Sequence, residues 1–400
     1  MIDYEKLKAI AKKRLPEAVR LTCDLVRIKS LSGEEGEAAF IVRQLMERYG
    51  YDEARIDEAG NVIGLVRGSG QGRTVMFNCH LDTVDCGDVS QWRHGPFSAA
   101  IDEGRIWGLG ASDTKGALAC QVVALGALVE EGLRPAGPVY VTAVVHEESS
   151  GFGSTYLAPK LPADIIIIGE ASDNTLKLGH RGRLQFDIHF QGKSAHASNP
   201  DGAVNPHYSA ARLLLALEQL KLERDSLFGS SRLTPTLYVT DRTTSNVTPG
   251  EVVLSLDCRN IPQDSEADLR AVLERLLESA LQPPVTAQIE LKMRHVTCYT
   301  GLVGQALAGE PSFATEREHP VVVTARDLLE TAFGHGVPVG LCGFATDGGH
   351  YYCHGSQVLI FSPAEEDKCH TAMDSVAIDK MEKAILGNMA LALGLSAATL

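Results

Sequence analysis

Leu7, Ile10, Leu15, Ala18, Leu21, Leu25 and Ile28 recur at roughly helical spacing, which predicts an amphipathic helix over residues 5–28. Pro16 marks a place where that helix kinks or restarts. Ser32 followed by Glu35 has the spacing of a capping box and predicts a second helix ending near Gly50. After the Gly60–Asn61 turn the pattern changes. Residues 75–77, 139–145, 165–168 and 358–361 are largely apolar runs, as expected for strands buried on both faces of a parallel sheet. Helix-like segments such as 114–131 lie between them, and the alternation predicts an α/β layered domain.

Residues 181–294 follow another rhythm. Segment 184–190 alternates, 203–222 is helical, 236–239 and 252–256 are strands, 265–280 is helical, and 285–293 is a strand. That β-α-β-β-α-β order is ferredoxin-like. The α/β pattern resumes after residue 298. The chain therefore reads as a larger domain, 1–180 with 295–400, interrupted by a smaller one, 181–294.

Composition narrows the class. A length of 400 residues suits two domains. The net charge of −14 argues against a broad grip on nucleic acid. With 44% hydrophobic and 22% charged residues the chain is globular rather than disordered. Charges recur too often near the N-terminus for a signal-peptide core, and no apolar run nears the ~20 residues of a membrane span. The nine cysteines are scattered without a CxxC pair, so they read as reduced thiols rather than a disulfide framework or zinc knuckle. The expectation is a cytoplasmic protein that engages neither membrane nor nucleic acid.

The chemistry follows the strands. Run 75–77 leads to His80 and Asp82, run 139–145 to Glu147 and Glu148, run 165–168 to Glu170, and run 358–361 through a loop to His370. Asp113 opens a helix in GASDTKG. Ligands in open α/β sheets bind beyond the carboxyl ends of the strands, so His80, Asp113, Glu148, Glu170 and His370 should converge on one rim. Two imidazoles and three carboxylates exceed one tetrahedral zinc and suffice for two metals sharing a carboxylate; zinc is favoured, with cobalt or manganese as alternatives. On an extended segment Asp82 lies on the same side as His80, so its carboxylate can accept the ring's other N–H. Neighbouring side chains diverge in Glu147-Glu148, so one can ligate while the other serves as general base. Singly each piece reads as ordinary surface polarity; their co-occurrence on one rim carries the argument.

These residues give the chain its resemblance. HLDTV (80–84), GASDTKG (110–116), HEESSGFGS (146–154), the Gly169-Glu170 pair, GKSAHASNPDGAVN (192–205), TSNVTPG (244–250), DCR (257–259), ATDGG (345–349) and HTAMDS (370–375) resemble the co-catalytic dizinc hydrolases. That superfamily includes acetylornithine deacetylase, succinyl-diaminopimelate desuccinylase, aminoacylase and glutamate carboxypeptidase. The resemblance implies an aminopeptidase-like catalytic domain with a mixed, largely parallel sheet, and makes 181–294 an inserted ferredoxin-like lid that forms a homodimer. It implies two Zn2+ per subunit, with His80 and Glu170 on one, Glu148 and His370 on the other, Asp113 between them, and Glu147 as base towards a water shared by the metals. It also implies that His196 reaches the partner's site to stabilise an oxyanion. Arg181, Asn246 and Arg259, with Thr346, Gly348 and Gly349, would hold the substrate's carboxylate.

The implied activity is hydrolysis of the amide bond of an N-acyl amino acid or small peptide with a free carboxylate, and a carboxypeptidase or dipeptidase on the same site is the alternative. A non-hydrolytic metal-binding paralogue would be expected to lose the base or a ligand, and all six positions stand here. A phosphoesterase would want extra Arg or Lys near the metals. The chain departs from the pattern at His146, where Asp is usual before the glutamate pair, and at Asp374-Ser375, where a Glu is usual. His146 could alter the surroundings of the ligands or compete for metal, while His350 and His354 read as pocket-wall or surface residues, with substrate contact as the lesser alternative.

Overall fold

The structure, a computed structural model, describes residues 2–222, 224–225 and 227–397. Positions 1 and 398–400, at the ends of the larger domain read from the sequence, lie outside them. The chain forms two compact units: Met1–Gly179 with His295–Ala306 and Phe313–Leu400, and His180–Arg294 with Leu307–Ser312. Backbone bonds place that last stretch in the second unit, since Arg183 N–H donates to Glu310 C=O at 2.8 Å and Ala308 N–H to Lys292 C=O at 2.9 Å.

In the first unit, helix α1 (Tyr4–Arg27) starts where the Asp3 carboxylate accepts the Lys6 N–H, and it runs on through Pro16. Leu7, Ile10, Ala18, Leu21 and Leu25 form its buried stripe. Helix α2 (Gly36–Arg48) departs from the expected capping box. Glu35 stands at its N-cap without a side-chain capping bond, and its carboxylate accepts instead from Gly33 N–H and His146 N–H. The Ser32 hydroxyl donates to Asp82. Both side chains are drawn away from the helix end by the rim described below. Helix α3 (Gly116–Glu130) has no polar face: Gly116 to Leu128 are all buried, which suits a helix enclosed between the sheet and other helices.

Among the described residues the main sheet has eight strands in the order Glu53–Ile56, Val62–Val66, Val139–Val144, Val75–His80, Ile165–Ile168, Gln357–Ile360, Leu176–Lys177, Val339–Gly340. The central four run parallel and are fully or nearly fully buried, as their apolar runs predict. Register pairs His80 with Val144 and Asn78 with Ile168, so the residues that follow these strands emerge on one rim. A three-stranded sheet of Ala100–Asp102, Arg105–Trp107 and Ser375–Ala377 ties the approach to Asp113 to the segment after His370. No helix among the described residues is long and apolar enough to cross a membrane.

The second unit has a four-stranded antiparallel sheet in the order Arg232–Thr240, Glu251–Arg259, Leu184–Gln191, Thr286–Leu291. Helices His207–Gln219 and Glu266–Ala280 complete the ferredoxin-like order. Leu184, Phe186, Ile188 and Phe190 alternate inward and pack with Leu213, Leu217, Leu269 and Leu273. Ser265 and Asp268 form a reciprocal capping box on the second helix.

Candidate active site

Local structure delivers each rim residue. His80 ends its strand, and Glu170 follows Ile168 by two positions. His146 turns the chain after Val139–Val144 with φ 57°, so that Glu147 and Glu148 open a short helical turn, Glu147–Ser150. Asp113 lies in the irregular helical segment Ala111–Lys115. Gly110 precedes it at φ 81°, where a Cβ would meet Thr83 Cγ2 at 2.8 Å, so both backbone and space call for glycine.

The five expected ligands and Glu147 come together. His80 Nε2 is 3.0 Å from Asp113 Oδ1 and 3.4 Å from Glu170 Oε1. His370 Nε2 is 3.1 Å from Asp113 Oδ2 and 3.0 Å from Glu148 Oε2. The two oxygens of Asp113 thus face different imidazoles. Ligand atoms of His80, Glu147 and Glu170 lie within 4.8 Å of one another, as do those of His80, Asp113 and Glu148.

Electrostatics test the fit to metal. Burial, reinforced by Glu170, Asp347 and Glu148 against the opposing pull of His80, pushes Glu147 well above the ordinary glutamate value. Burial and Asp113 push Glu148 to about 7, against the His370 hydrogen bond. Burial and Asp113 also raise Glu170. Hydrogen bonds to Asp113 and Glu148 raise His370 to about 10. Burial would lower His80, but hydrogen bonds to Asp113 and Glu170 outweigh it and raise it well above the ordinary value. Burial would raise Asp113, but His370 and His80 hold it below its usual range. A buried carboxylate cluster that keeps protons on its imidazoles is short of positive charge. Two divalent cations held by oxygen and imidazole donors would supply it, and the donor set fits them.

The support around the rim corrects one expectation. The His80 Nδ1 partner is the Asp82 backbone carbonyl, at 2.9 Å, whereas the carboxylate is 3.8 Å away and beyond hydrogen-bond range. Asp82 is engaged elsewhere: Oδ1 accepts from Glu147 N–H at 3.0 Å, and Oδ2 from Glu148 N–H at 3.1 Å and Ser32 Oγ at 2.6 Å. It therefore caps the turn that carries the glutamate pair while its own carbonyl fixes the imidazole.

Sequence reasoning missed several supports. Asp374 accepts from Gly110 N–H at 2.6 Å and Ser112 N–H at 2.8 Å, joining the His370 loop to the Asp113 loop. Burial pushes it up to about 8, against those N–H groups. The buried Lys115 ammonium donates to Leu25 and Ile28 carbonyls, each at 3.0 Å, at the end of α1, and burial lowers it to about 8. Glu365 pairs with Arg105 and, at 2.7 Å, with Lys380, and its N–H donates to Ser112 Oγ at 3.0 Å. Only the Asp374 departure and the motif Lys115 were signals in the sequence.

His146 does not join the ligand cluster: Nδ1 meets Ser149 Oγ at 3.0 Å and Nε2 the Thr297 carbonyl at 3.2 Å. His350 Nδ1 meets Thr155 Oγ1, and His354 Nδ1 the His350 carbonyl. Thr346 Oγ1 accepts from Gly348 N–H, opening the turn Gly348–Tyr352 that holds Gly349. Arg181, His196, Asn246 and Arg259 belong to the second unit. There Arg181 Nη1 donates to Ser230 C=O, Arg259 pairs with Asp257 at 2.7 Å, and the Asn246 carbonyl accepts from Ala197 N–H. His196 Nδ1 lies 2.7 Å from Ser198 Oγ and 3.2 Å from the Ser198 backbone nitrogen. A cavity of about 240 Å3 opens on Asp113, Glu147, Glu148, Glu170 and His370. A larger one of about 420 Å3 between α1 and α2 brings together Arg14, Glu17 and Glu130, without an imidazole among its lining residues.

Comparison with known proteins agrees with this geometry. Residues 76–392 match the model of peptidase family M20/M25/M40. A succinyl-diaminopimelate desuccinylase of Cereibacter sphaeroides is 31% identical over 272 residues, covering 64% of this chain and 71% of the relative. The uncharacterized Escherichia coli protein YgeY is 26% identical over 375 residues, 92% of each chain. Among solved structures, aminopeptidase PepT from Bacillus cereus superposes with TM-score 0.74 at 19% identity, covering 95% of this chain and 98% of that one. Human carnosine dipeptidase 1 superposes with TM-score 0.67 at 15% identity over 98% of both chains. At these identities the structural likenesses speak for the fold alone.

Proposed function

From the premise that this chain belongs to peptidase family M20/M25/M40 and is a metal-dependent hydrolase, we propose that it cleaves the amide bond of an N-acyl amino acid or small peptide bearing a free carboxylate. The observation that carries this is Asp113, whose two oxygens face two imidazoles beside a half-buried glutamate pair. His80 and Glu170 would hold one divalent ion, Glu148 and His370 the other, with Asp113 shared; zinc suits the donors, and cobalt or manganese are the alternatives. When bound, such ions supply Lewis acidity and bring the pKa of water from ~15.7 towards ~7.

The chain's own part is proton transfer and orientation. Glu147 is not in hydrogen-bond contact with either imidazole, and its turn is fixed through Asp82. It takes the proton of the attacking water, whose oxygen joins the acyl carbon. It then gives that proton to the amide nitrogen as the carbon–nitrogen bond breaks, so that acid and amine leave. His196 is proposed to donate to the developing oxyanion of a partner subunit through a homodimer built on 181–294. Arg181, Asn246 and Arg259, with Thr346, Gly348 and Gly349, are proposed to receive the substrate carboxylate.

A hydrolysis screen of zinc- and cobalt-loaded protein against N-acetyl and N-succinyl amino acids and dipeptides tests the reading. Turnover of at least one class is expected. No turnover of any class, with both metals bound, would overturn it.

A further inference from the structure

The cavity over the ligand cluster has a second wall, made of Phe344, Ala345, Cys369 and Glu366. Three of these are apolar or soft, and Glu366 is the charged exception. The acids around it are neutralised by cations of this chain. Glu365 pairs with Arg105 and Lys380, Asp367 with Lys368 at 2.7 Å, and Asp173 with Lys380 at 2.6 Å. Among the described residues, no Lys, Arg or His stands within ion-pair distance of the Glu366 carboxylate. The side chain is exposed to solvent while facing the cavity.

The Glu366 carboxylate lies over Gly343, where a Cβ would stand 2.5 Å from Oε1. Glu366 also borders a neighbouring cavity of about 370 Å3 whose wall includes Asp173, Glu365 and Asp367, with Lys177 as the lining cation. The carboxylate thus stands where the reaction cavity gives way to a second, mainly acidic one. An apolar wall ending in an accessible unpaired carboxylate is complementary to a short aliphatic stem carrying an ammonium group.

We propose that Glu366 is a specificity-determining residue that receives an ammonium group of the substrate, so that the preferred substrates are cationic next to the scissile amide. This rests on the hydrolase reading above for the reaction, but not for the binding. The ammonium has two sources of the same chemistry, a basic side chain or the free α-amine of a peptide. An added benefit falls to selectivity: neutral substrates of the same shape leave the carboxylate desolvated and unpaired.

The test compares substrates that differ only in that group. Nα-acetyl-L-lysine is paired with Nα-acetyl-L-norleucine, and L-leucyl-glycine with 4-methylpentanoyl-glycine. The wild type should favour the cationic member of at least one pair in kcat/KM by about tenfold or more, mainly through KM, as expected for one charge-assisted hydrogen bond. Preference in the first pair assigns the ammonium to a side chain, and in the second to an α-amine. Glu366→Gln should bring the ratio near one, while Asp367→Asn, whose carboxylate is already paired, keeps it. No preference in either pair overturns the proposal, as does a preference that Glu366→Gln leaves intact. The same pairs are titrated calorimetrically into the metal-loaded Glu147→Gln protein. If nothing is hydrolysed but binding keeps a Glu366-dependent preference, the hydrolase reading fails and the ammonium site stands. Binding without that preference overturns the ammonium site.

Discussion

Glu35 offers a quantitative check on how the rim is held. It is completely buried, Oε1 accepts from Gly33 and His146 N–H groups, and Oε2 has no hydrogen-bond partner. Burial, reinforced by Asp82, pushes its pKa from 4.5 to about 7. A raised pKa in the folded state means that the native protein binds this proton more tightly than the unfolded chain. The stabilisation is complete below about pH 4.5 and is lost as pH rises through about 7. At about 1.4 kcal/mol per tenfold change, the loss across that window is about 3 kcal/mol, of which roughly 2 falls between pH 5.5 and 8.5. Glu35→Gln keeps an acceptor for the two N–H groups and removes the charge. Its unpartnered amide adds a constant cost, so the slope of the difference is the readout rather than its absolute value. Urea unfolding of both proteins in chelator, followed by circular dichroism from pH 5.5 to 8.5, should show the wild type losing roughly 2 kcal/mol relative to the variant. Parallel stability profiles would refute the buried, proton-binding Glu35.

Two further outcomes concern other residues. Asp374→Ala frees the Gly110 and Ser112 N–H groups that fix the Asp113 loop. Metal affinity measured by chelator competition should fall about tenfold or more, and unchanged affinity would show the clamp to be dispensable. If His196 acts across a dimer, His196→Ala and Glu147→Ala proteins should each be nearly inactive. Mixed and allowed to exchange, they should recover roughly a quarter of wild-type activity, because random reassortment of a two-fold dimer leaves one intact site in half of the dimers. Verified exchange without recovery would remove His196 from the partner's site.

The convergence of His80, Glu148 and Glu170 was readable because each follows an apolar run, and parallel strands of one sheet deliver such residues to one edge, whereas Asp113 at a helix start and His370 beyond a loop were placed with them by motif. The ferredoxin-like order was readable because Leu184 to Phe190 alternates and the two helices keep their own period. What could not be read were roles fixed by contacts distant in sequence. Ser32 and Glu35 have capping-box spacing, yet Asp82 and the His146 N–H claim them, and the rim outcompetes a local motif. Asp82 was placed on the correct ring, but its carbonyl rather than its carboxylate makes the bond, a distinction that spacing does not hold. Asp374, Lys115 and Glu365 act through loops or helix ends far along the chain.

The central claim is that the adjacent glutamates divide the work, Glu148 holding metal and Glu147 moving the proton. Metal content by mass spectrometry and turnover, measured together on Glu147→Gln and Glu148→Gln, test it most directly. Two bound metals and turnover reduced by at least about a hundredfold are expected in Glu147→Gln, the scale of general acid–base catalysis, with loss of one metal in Glu148→Gln. A Glu147→Gln protein that loses metal, or that keeps two metals and most of its turnover, would contradict it.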